Sequence, residues 1–203
     1  MKKPKYSIVI PSYNGYQGLK ETLPYMLAIN RDDFEIVISD NHSADGLWEY
    51  LSNLSDEKLK IFKPDRFLPH SEHLNFAYSK ANGEWIGHLG DDDLIMGNRF
   101  EIFDKFSSDF DLIIGKNLRY IWQDNLREPK NSISRLSKTS FSYEKVVLSG
   151  KDYYHNTLNQ VSIPGGGEWM VKRNVYEKVI EKFGYFSPNA PTVEFFCHRA
   201  SAY

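Results

Sequence analysis

The sequence predicts an α/β protein, a mostly parallel sheet with helices on both faces, in a single domain. Two observations predict it. Short β-branched apolar runs alternate with segments of helical periodicity over the first 115 residues. Polar turns follow those runs directly, and one of them carries three consecutive carboxylates, Asp91-Asp92-Asp93.

Tyr6-Ser7-Ile8-Val9-Ile10 has the pattern of a strand buried on both faces. Pro11-Ser12-Tyr13-Asn14-Gly15 reads as the turn that ends it. Leu19, Leu23, Met26 and Leu27 recur at helical spacing and predict a helix from Tyr16 to Ile29. Phe34 to Ser39 is the second strand, and Asp40-Asn41-His42-Ser43-Ala44-Asp45-Gly46 ends it. Asp45 is placed to cap a helix carrying Leu47, Trp48, Tyr50 and Leu51. Leu59-Lys60-Ile61-Phe62 is a third strand. Ser71 is expected to cap the next helix, whose apolar stripe is Leu74, Ala77, Tyr78 and Ala81. Asn82-Gly83 stops that helix, and Trp85 to Leu89 is a short buried strand. Arg99, Phe100, Ile102, Phe103 and Phe106 mark another helix, and Asp111 to Gly115 a fifth strand.

Residues Asn117 to Ser149 are polar, broken by Pro129 and serines, and read as strand-and-loop structure of the same domain. Short helices are expected at Tyr143 to Leu148 and Lys151 to Leu158. Gly165-Gly166-Gly167 forms a joint before a strand from Glu168 to Lys172, and Asn174 is placed to cap a helix from Val175 to Phe183. Glu194 to Tyr203 reads as a helix without a stop signal, which predicts a domain truncated at its C-terminus.

The 203 residues suffice for one large domain or two small ones, and the proportions of 41% hydrophobic and 26% charged residues are those of a soluble globular protein. A net charge of −2 gives no general attraction to nucleic acid or anionic membrane. Aromatic residues, at 15%, fit a pocket that stacks bases or sugars, although aromatic cores are the commoner cause. The single cysteine, Cys197, excludes an intrachain disulfide and fits a reducing compartment. No stretch approaches the roughly 20 apolar residues of a membrane span. The basic Met1-Lys2-Lys3-Pro4-Lys5 precedes an apolar run too short for a signal peptide. The expectation is a cytoplasmic protein, with peripheral membrane contact left open.

Three adjacent carboxylates repel one another, and burial would raise their pKa further. An isolated Asp run is more often a solvated turn. This run follows a strand, where α/β proteins place ligands. A hard divalent cation, Mg²⁺ or Mn²⁺, takes one or two carboxylates plus substrate phosphates and would keep such a cluster ionised. In a parallel sheet the strand ends share an edge, which brings Ser12, Tyr13 and Asn14 together with Asp40 and Asn41 and with Asp91, Asp92 and Asp93. That edge suits a nucleotide base and ribose, with a metal for the diphosphate. The Asn14-Gly15-Tyr16-Gln17-Gly18 segment is not a dinucleotide fingerprint, and no P-loop exists, so phosphate handling falls to the metal.

Ser7-Ile8-Val9-Ile10-Pro11-Ser12-Tyr13-Asn14, Asp40-Asn41-His42-Ser43-Ala44-Asp45-Gly46 and Gly90-Asp91-Asp92-Asp93, with Gly83-Glu84-Trp85-Ile86 between, together resemble the family 2 glycosyltransferases of the GT-A fold. The resemblance covers residues 6 to 115 most clearly. It implies a nucleotide-sugar-binding half over 1–115 and an acceptor-side half over 116–203. It implies a nucleotide-diphosphate sugar donor, most often a UDP-sugar, a hydroxyl acceptor on a carbohydrate or other molecule, and inversion at the anomeric carbon. It also implies that Pro11, Tyr13, Asn14, Asp40, Asn75 and Asp91 line the donor, with Asp40 on the base and Asp91 near the ribose, and that Asp92 and Asp93 hold the metal. Gly90 stands where members often have the first Asp of Asp-x-Asp-Asp, and the late Glu-Asp pair of many members is not found. Two other readings stay open: a catalytically inactive nucleotide-sugar-binding module, and a nucleotidyltransferase, although the basic glycine-rich loop of that class is missing.

Several further residues have two readings. His70 and His73 are three apart, but without a second pair at ligand spacing they read as surface and capping residues. His88 reads as a packed or hydrogen-bonded core histidine. Asn75 also suits a helix surface. Arg66 can reach a diphosphate, although a solvated arginine is commoner. Trp169 suits either an acceptor sugar or the core. For the general base, Glu177 and Glu181 lie among lysines on a solvated helix face, and Asp152 reads as a helix-start residue. Glu168 and Glu194 remain. Glu194 is preferred because it follows Pro188-Asn189-Ala190-Pro191 and enters an aromatic helix, which resembles the Pro-Asp-aromatic segment that supplies the base in some family members. A helix N-terminus also favours an acidic residue.

Overall fold

The computed structural model describes residues 3–95, 97–114 and 169–186. Strand β1 (Tyr6–Ser12) leads to α1 (Tyr16–Leu27), β2 (Phe34–Asp40), α2 (Leu47–Ser52), β3 (Leu59–Phe62), α3 (His70–Ser79), β4 (Trp85–His88), α4 (Asn98–Phe106) and β5 (Leu112–Ile114). In the last described stretch, β6 (Trp169–Lys172) runs directly into α5 (Arg173–Phe183).

The strands form one sheet in the order β3-β2-β1-β4-β6-β5. The first four of these are parallel, and β6 is antiparallel to both β4 and β5. Side-chain alternation explains why β1 and β2 are apolar along most of their length. Tyr6, Ile8, Ile10, Phe34, Ile36 and Ile38 pack on one face against Leu19, Leu23 and Met26 of α1, Leu47 and Leu51 of α2, and Phe100 and Phe103 of α4. Val9, Val37 and Ile86 pack on the other face against Leu74, Ala77 and Tyr78 of α3 and Tyr176 and Val179 of α5. A sheet covered on both faces needs apolar residues at odd and even positions alike. The exceptions are paired: Ser7 donates to Glu35 Oε1 at 2.6 Å, and the backbone N–H groups of Asn82 and Gly83 donate to Glu35 and to Ser7 Oγ.

The described segments match the expected alternation, with local corrections. Pro11 and Ser12 belong to β1 rather than to a turn and pair opposite Ser39 and Asp40. The β4 ladder ends at Val9, so the missing N–H of Pro11 breaks no bond on that side. Ser71 does not cap α3. That helix already begins at His70 after Pro69, and Ser71 is buried inside it. Asn174 likewise lies within α5, because Arg173 is pinned first: its N–H donates to Glu84 O and its guanidinium to the carbonyls of Gly83 and Ala81. Asp45 stands one residue before the cap position, which Gly46 fills at φ 90°. Its carboxylate nevertheless accepts the N–H of Leu47 and, across the loop, the N–H of Tyr16 that opens α1. Among the described residues no helix is long and apolar enough to cross a membrane. The expected elements between Asn117 and Glu168 and beyond Phe186 lie outside the described residues.

Candidate functional site

Because β2 and β4 flank β1 on opposite sides, the chain reverses its order across the sheet at β1, and the carboxyl ends of β1 and β4 are the switch point where open α/β sheets form their ligand crevice. The residues expected at that edge meet there. Asp40 ends β2 and is fully buried. Its Oδ1 accepts the N–H of Ser43 at 2.9 Å, the local turn expected of an aspartate at a strand end. Its Oδ2 is buried and has no hydrogen-bond partner among the described residues. Lys63 Nζ, 3.6 Å from it, is too far for a hydrogen bond. A buried carboxylate oxygen in that condition is costly unless a ligand completes it.

The walls around Asp40 are held by side chains acting on backbone. Asn41 donates to Leu68 O and accepts from Leu68 N, fastening the loop after β3 to the end of β2. His42, at φ 61°, reaches Pro64 O from Nε2 at 2.9 Å; a carbonyl only accepts, so Nε2 carries the proton. Asn14, also at positive φ (58°), accepts the N–H of Ala44 on its side chain, while its own N–H donates to Ser43 Oγ. Tyr13 and Phe67, both more than half exposed, meet edge to face at 5.3 Å between ring centres. Below the site, Ser39 and His73 form a buried pair, Oγ to Nε2, at 2.9 Å. Burial lowers the His73 pKa to about 4, against a smaller opposing effect of its hydrogen bond with Ser39. His73 is therefore a neutral core histidine, not the surface or capping residue expected.

The carboxylate turn follows β4. Asp91 Oδ2 accepts the hydroxyl hydrogen of Ser12 at 2.6 Å. Burial raises the Asp91 pKa, the bond from Ser12 works against the rise, and the neighbouring charge of Asp92 adds to it. The Asp93 pKa is raised by burial first and then by Asp92. Asp92 itself is exposed. Over Gly90 two carboxylates converge: a β-carbon there would lie 2.8 Å from Asp93 Oδ2 and 3.1 Å from Asp92 Oδ1. Among the described residues no group of three or more His, Cys, Asp or Glu is placed to hold a metal alone. Two leaning carboxylates whose mutual repulsion a cation would relieve do fit a divalent ion that takes its other ligands from phosphate oxygens.

The remaining expected residues are dispersed. Pro11 is half-buried in β1, one residue from the crevice. Asn75 turns its Oδ1 to the N–H of Phe186 at 2.9 Å, tying α3 to the turn after α5. Arg66 pairs with Glu72 on the surface. His88 bonds Tyr78 through Nδ1 and stacks on Trp169, which is buried in the core. Glu168 and Glu194 lie outside the described residues. Lys63 and Phe67 are not marked by any motif in the sequence, and only the folding of the 63–68 loop brings Lys63 beside Asp40 and Phe67 against Tyr13.

The family model of glycosyl transferase family 2 matches residues 7–180. A curated relative from Campylobacter jejuni, GalNAc(5)-diNAcBac-PP-undecaprenol beta-1,3-glucosyltransferase, is 26% identical over 119 residues, covering 57% of this chain and 38% of its own. S. aureus TarS 1-349 in complex with UDP-GlcNAc superposes with a TM-score of 0.64 at 18% identity, over 97% of this chain and 53% of that one. The mannosyltransferase PcManGT from Pyrobaculum calidifontis, in complex with GDP-Man and Mn²⁺, gives 0.60 at 17% identity, over 97% and 51%. The chain spans about a fifth to two fifths of the length of the curated relatives it matches. With a family match over most of its length and a sheet shared with GT-A enzymes, the chain belongs to glycosyl transferase family 2.

Proposed function

We propose that this chain is the donor-binding core of a cytoplasmic, metal-assisted glycosyltransferase that moves a sugar from a UDP-sugar to an acceptor hydroxyl with inversion, in polysaccharide biosynthesis. One observation carries the reading: the buried, unsatisfied Oδ2 of Asp40 shares an edge with the Asp91-Asp92-Asp93 turn. A nucleotide diphosphate carries a base N–H, a ribose and a charged leaving group over that span. Asp40 accepts the base N–H, and Tyr13 and Phe67 flank the ring. Asp91, oriented by Ser12, faces the ribose. Asp92 and Asp93 hold Mn²⁺ or Mg²⁺, which when bound neutralises charge developing on the departing diphosphate. Glu194 takes the proton of the attacking hydroxyl, a contribution of roughly 10²–10⁴ in rate. The UDP-GlcNAc and Mn²⁺ named for the structural neighbours, and the undecaprenol-linked glycan named for the C. jejuni relative, support this substrate class.

Calorimetry tests it. UDP should bind in the presence of Mn²⁺, weaken strongly in EDTA, and weaken equally in Asp92→Asn with Mn²⁺ present. Unchanged affinity without metal would remove the metal from the reading. Binding without any turnover of UDP-sugars and acceptors would leave a nucleotide-sugar-binding module.

A further inference from the structure

We infer that Lys63 is a specificity-determining residue of the base site, and that with Asp40 it selects a base edge on which a ring N–H stands next to a carbonyl. The inference rests on the reading of Asp40 as the base acceptor. Among the described residues Asp40 Oδ2 is buried without a hydrogen bond, and Lys63 Nζ stands 3.6 Å from it. At that spacing the two groups are an ion pair, with neither using its hydrogen-bonding capacity on the other. An acceptor and a donor side by side match a donor and an acceptor side by side, so the N–H of a lactam edge meets Asp40 and its adjacent C=O meets Lys63.

The lysine is held for this task. His42 bonds the carbonyl of Pro64, the next residue, and Asn41 clamps Leu68 at the far end of the same loop. The ammonium also stands 5.3 Å from the ring centre of Trp48, a cation–π contact. Cytosine and adenine present a bare ring nitrogen beside an amino group at the corresponding edge. Against Asp40 that nitrogen sets acceptor against acceptor, and against Lys63 the amino group sets donor against donor. Uracil and guanine both carry the matching edge, and they differ in ring size and in the amino group of guanine.

The test uses the full chain with Mn²⁺ and four probes: UDP, GDP, CDP and ADP. Wild type should bind UDP or GDP at least about tenfold more tightly than CDP and ADP, the size of one hydrogen bond to a charged group. Preference between UDP and GDP identifies which lactam base the site takes. Lys63→Met should lose at least about tenfold for the preferred nucleotide and change little for CDP, with a lower melting temperature because it leaves the buried Asp40 carboxylate without its counter-charge. Lys63→Arg should recover part of the loss. Equal UDP affinity in Lys63→Met and wild type, or equal UDP and CDP affinity in wild type, overturns the role of Lys63 and leaves the donor-binding reading standing. Failure of wild type to bind any of the four overturns both.

Discussion

Ser12, the last residue of β1, donates its hydroxyl hydrogen to Asp91 Oδ2 across 2.6 Å, joining the end of one strand to the carboxylate turn after another. The two residues are 79 apart in sequence. The contact is possible because Gly15 has no side chain: a β-carbon there would lie 2.1 Å from Asp91 Oδ2 and 2.3 Å from Ser12 Oγ. The backbone of Gly15 tolerates other residues, so the requirement is one of space.

Gly15→Ala is therefore expected to push Asp91 out of the crevice. Overpacking of this kind costs about 1–3 kcal/mol, read as a lower midpoint in urea. Affinity for UDP with Mn²⁺ should fall along with stability. Ser12→Ala should lower affinity with a smaller stability change. A Gly15→Ala protein with wild-type affinity would show that the Asp91 position is irrelevant to the donor.

Asp40→Ala should weaken binding of uridine and UMP as well as UDP, while the remaining UDP affinity stays dependent on Mn²⁺. Competition assays with uridine separate the base contribution from that of the diphosphate. If the variant binds uridine as wild type does, Asp40 only orders the Ser43 turn.

Stability should depend on pH through His73. Its folded-state pKa of about 4 lies below the ordinary 6.5, so between these values the unfolded chain binds a proton that the folded one refuses. The stabilisation is complete above about pH 6.5, declines as pH falls, and is gone near pH 4, a loss of up to about 3 kcal/mol. Urea unfolding of wild type and His73→Gln across pH 7 to 4 should show a shallower decline in the variant. Parallel curves would assign the decline to other groups.

Glu194→Gln should abolish sugar transfer and leave affinity for UDP and Mn²⁺ unchanged, because a general base acts on the acceptor and not on the donor. Transfer at a near wild-type rate would place the base elsewhere, with Glu168 next to be tested by the same substitution.

The elements were legible where the physics is local. Apolar alternation in Ile8-Val9-Ile10 and Ile36-Val37-Ile38 specifies strands with two covered faces, and both strands lie between helix layers. The three carboxylates of Asp91-Asp92-Asp93 identify a charged turn from their own repulsion. Asp40, at the end of a buried strand, points to the same edge. These features depend on residues within a few positions of one another, and the sequence alone determined them.

What the tertiary structure decided is which distant groups share space. The sequence does not say that β4 lies beside β1, yet that adjacency creates the crevice and lets Ser12 reach Asp91. It does not say that His73 is buried against Ser39, that Asn75 turns to Phe186, or that the loop carrying Lys63 and Phe67 folds over Asp40. A helix-face histidine or a loop lysine carries no periodic signal, because its environment is supplied by elements tens of residues away. Local propensity sets the backbone of each element, and packing of the two helix layers on the sheet sets which side chains meet.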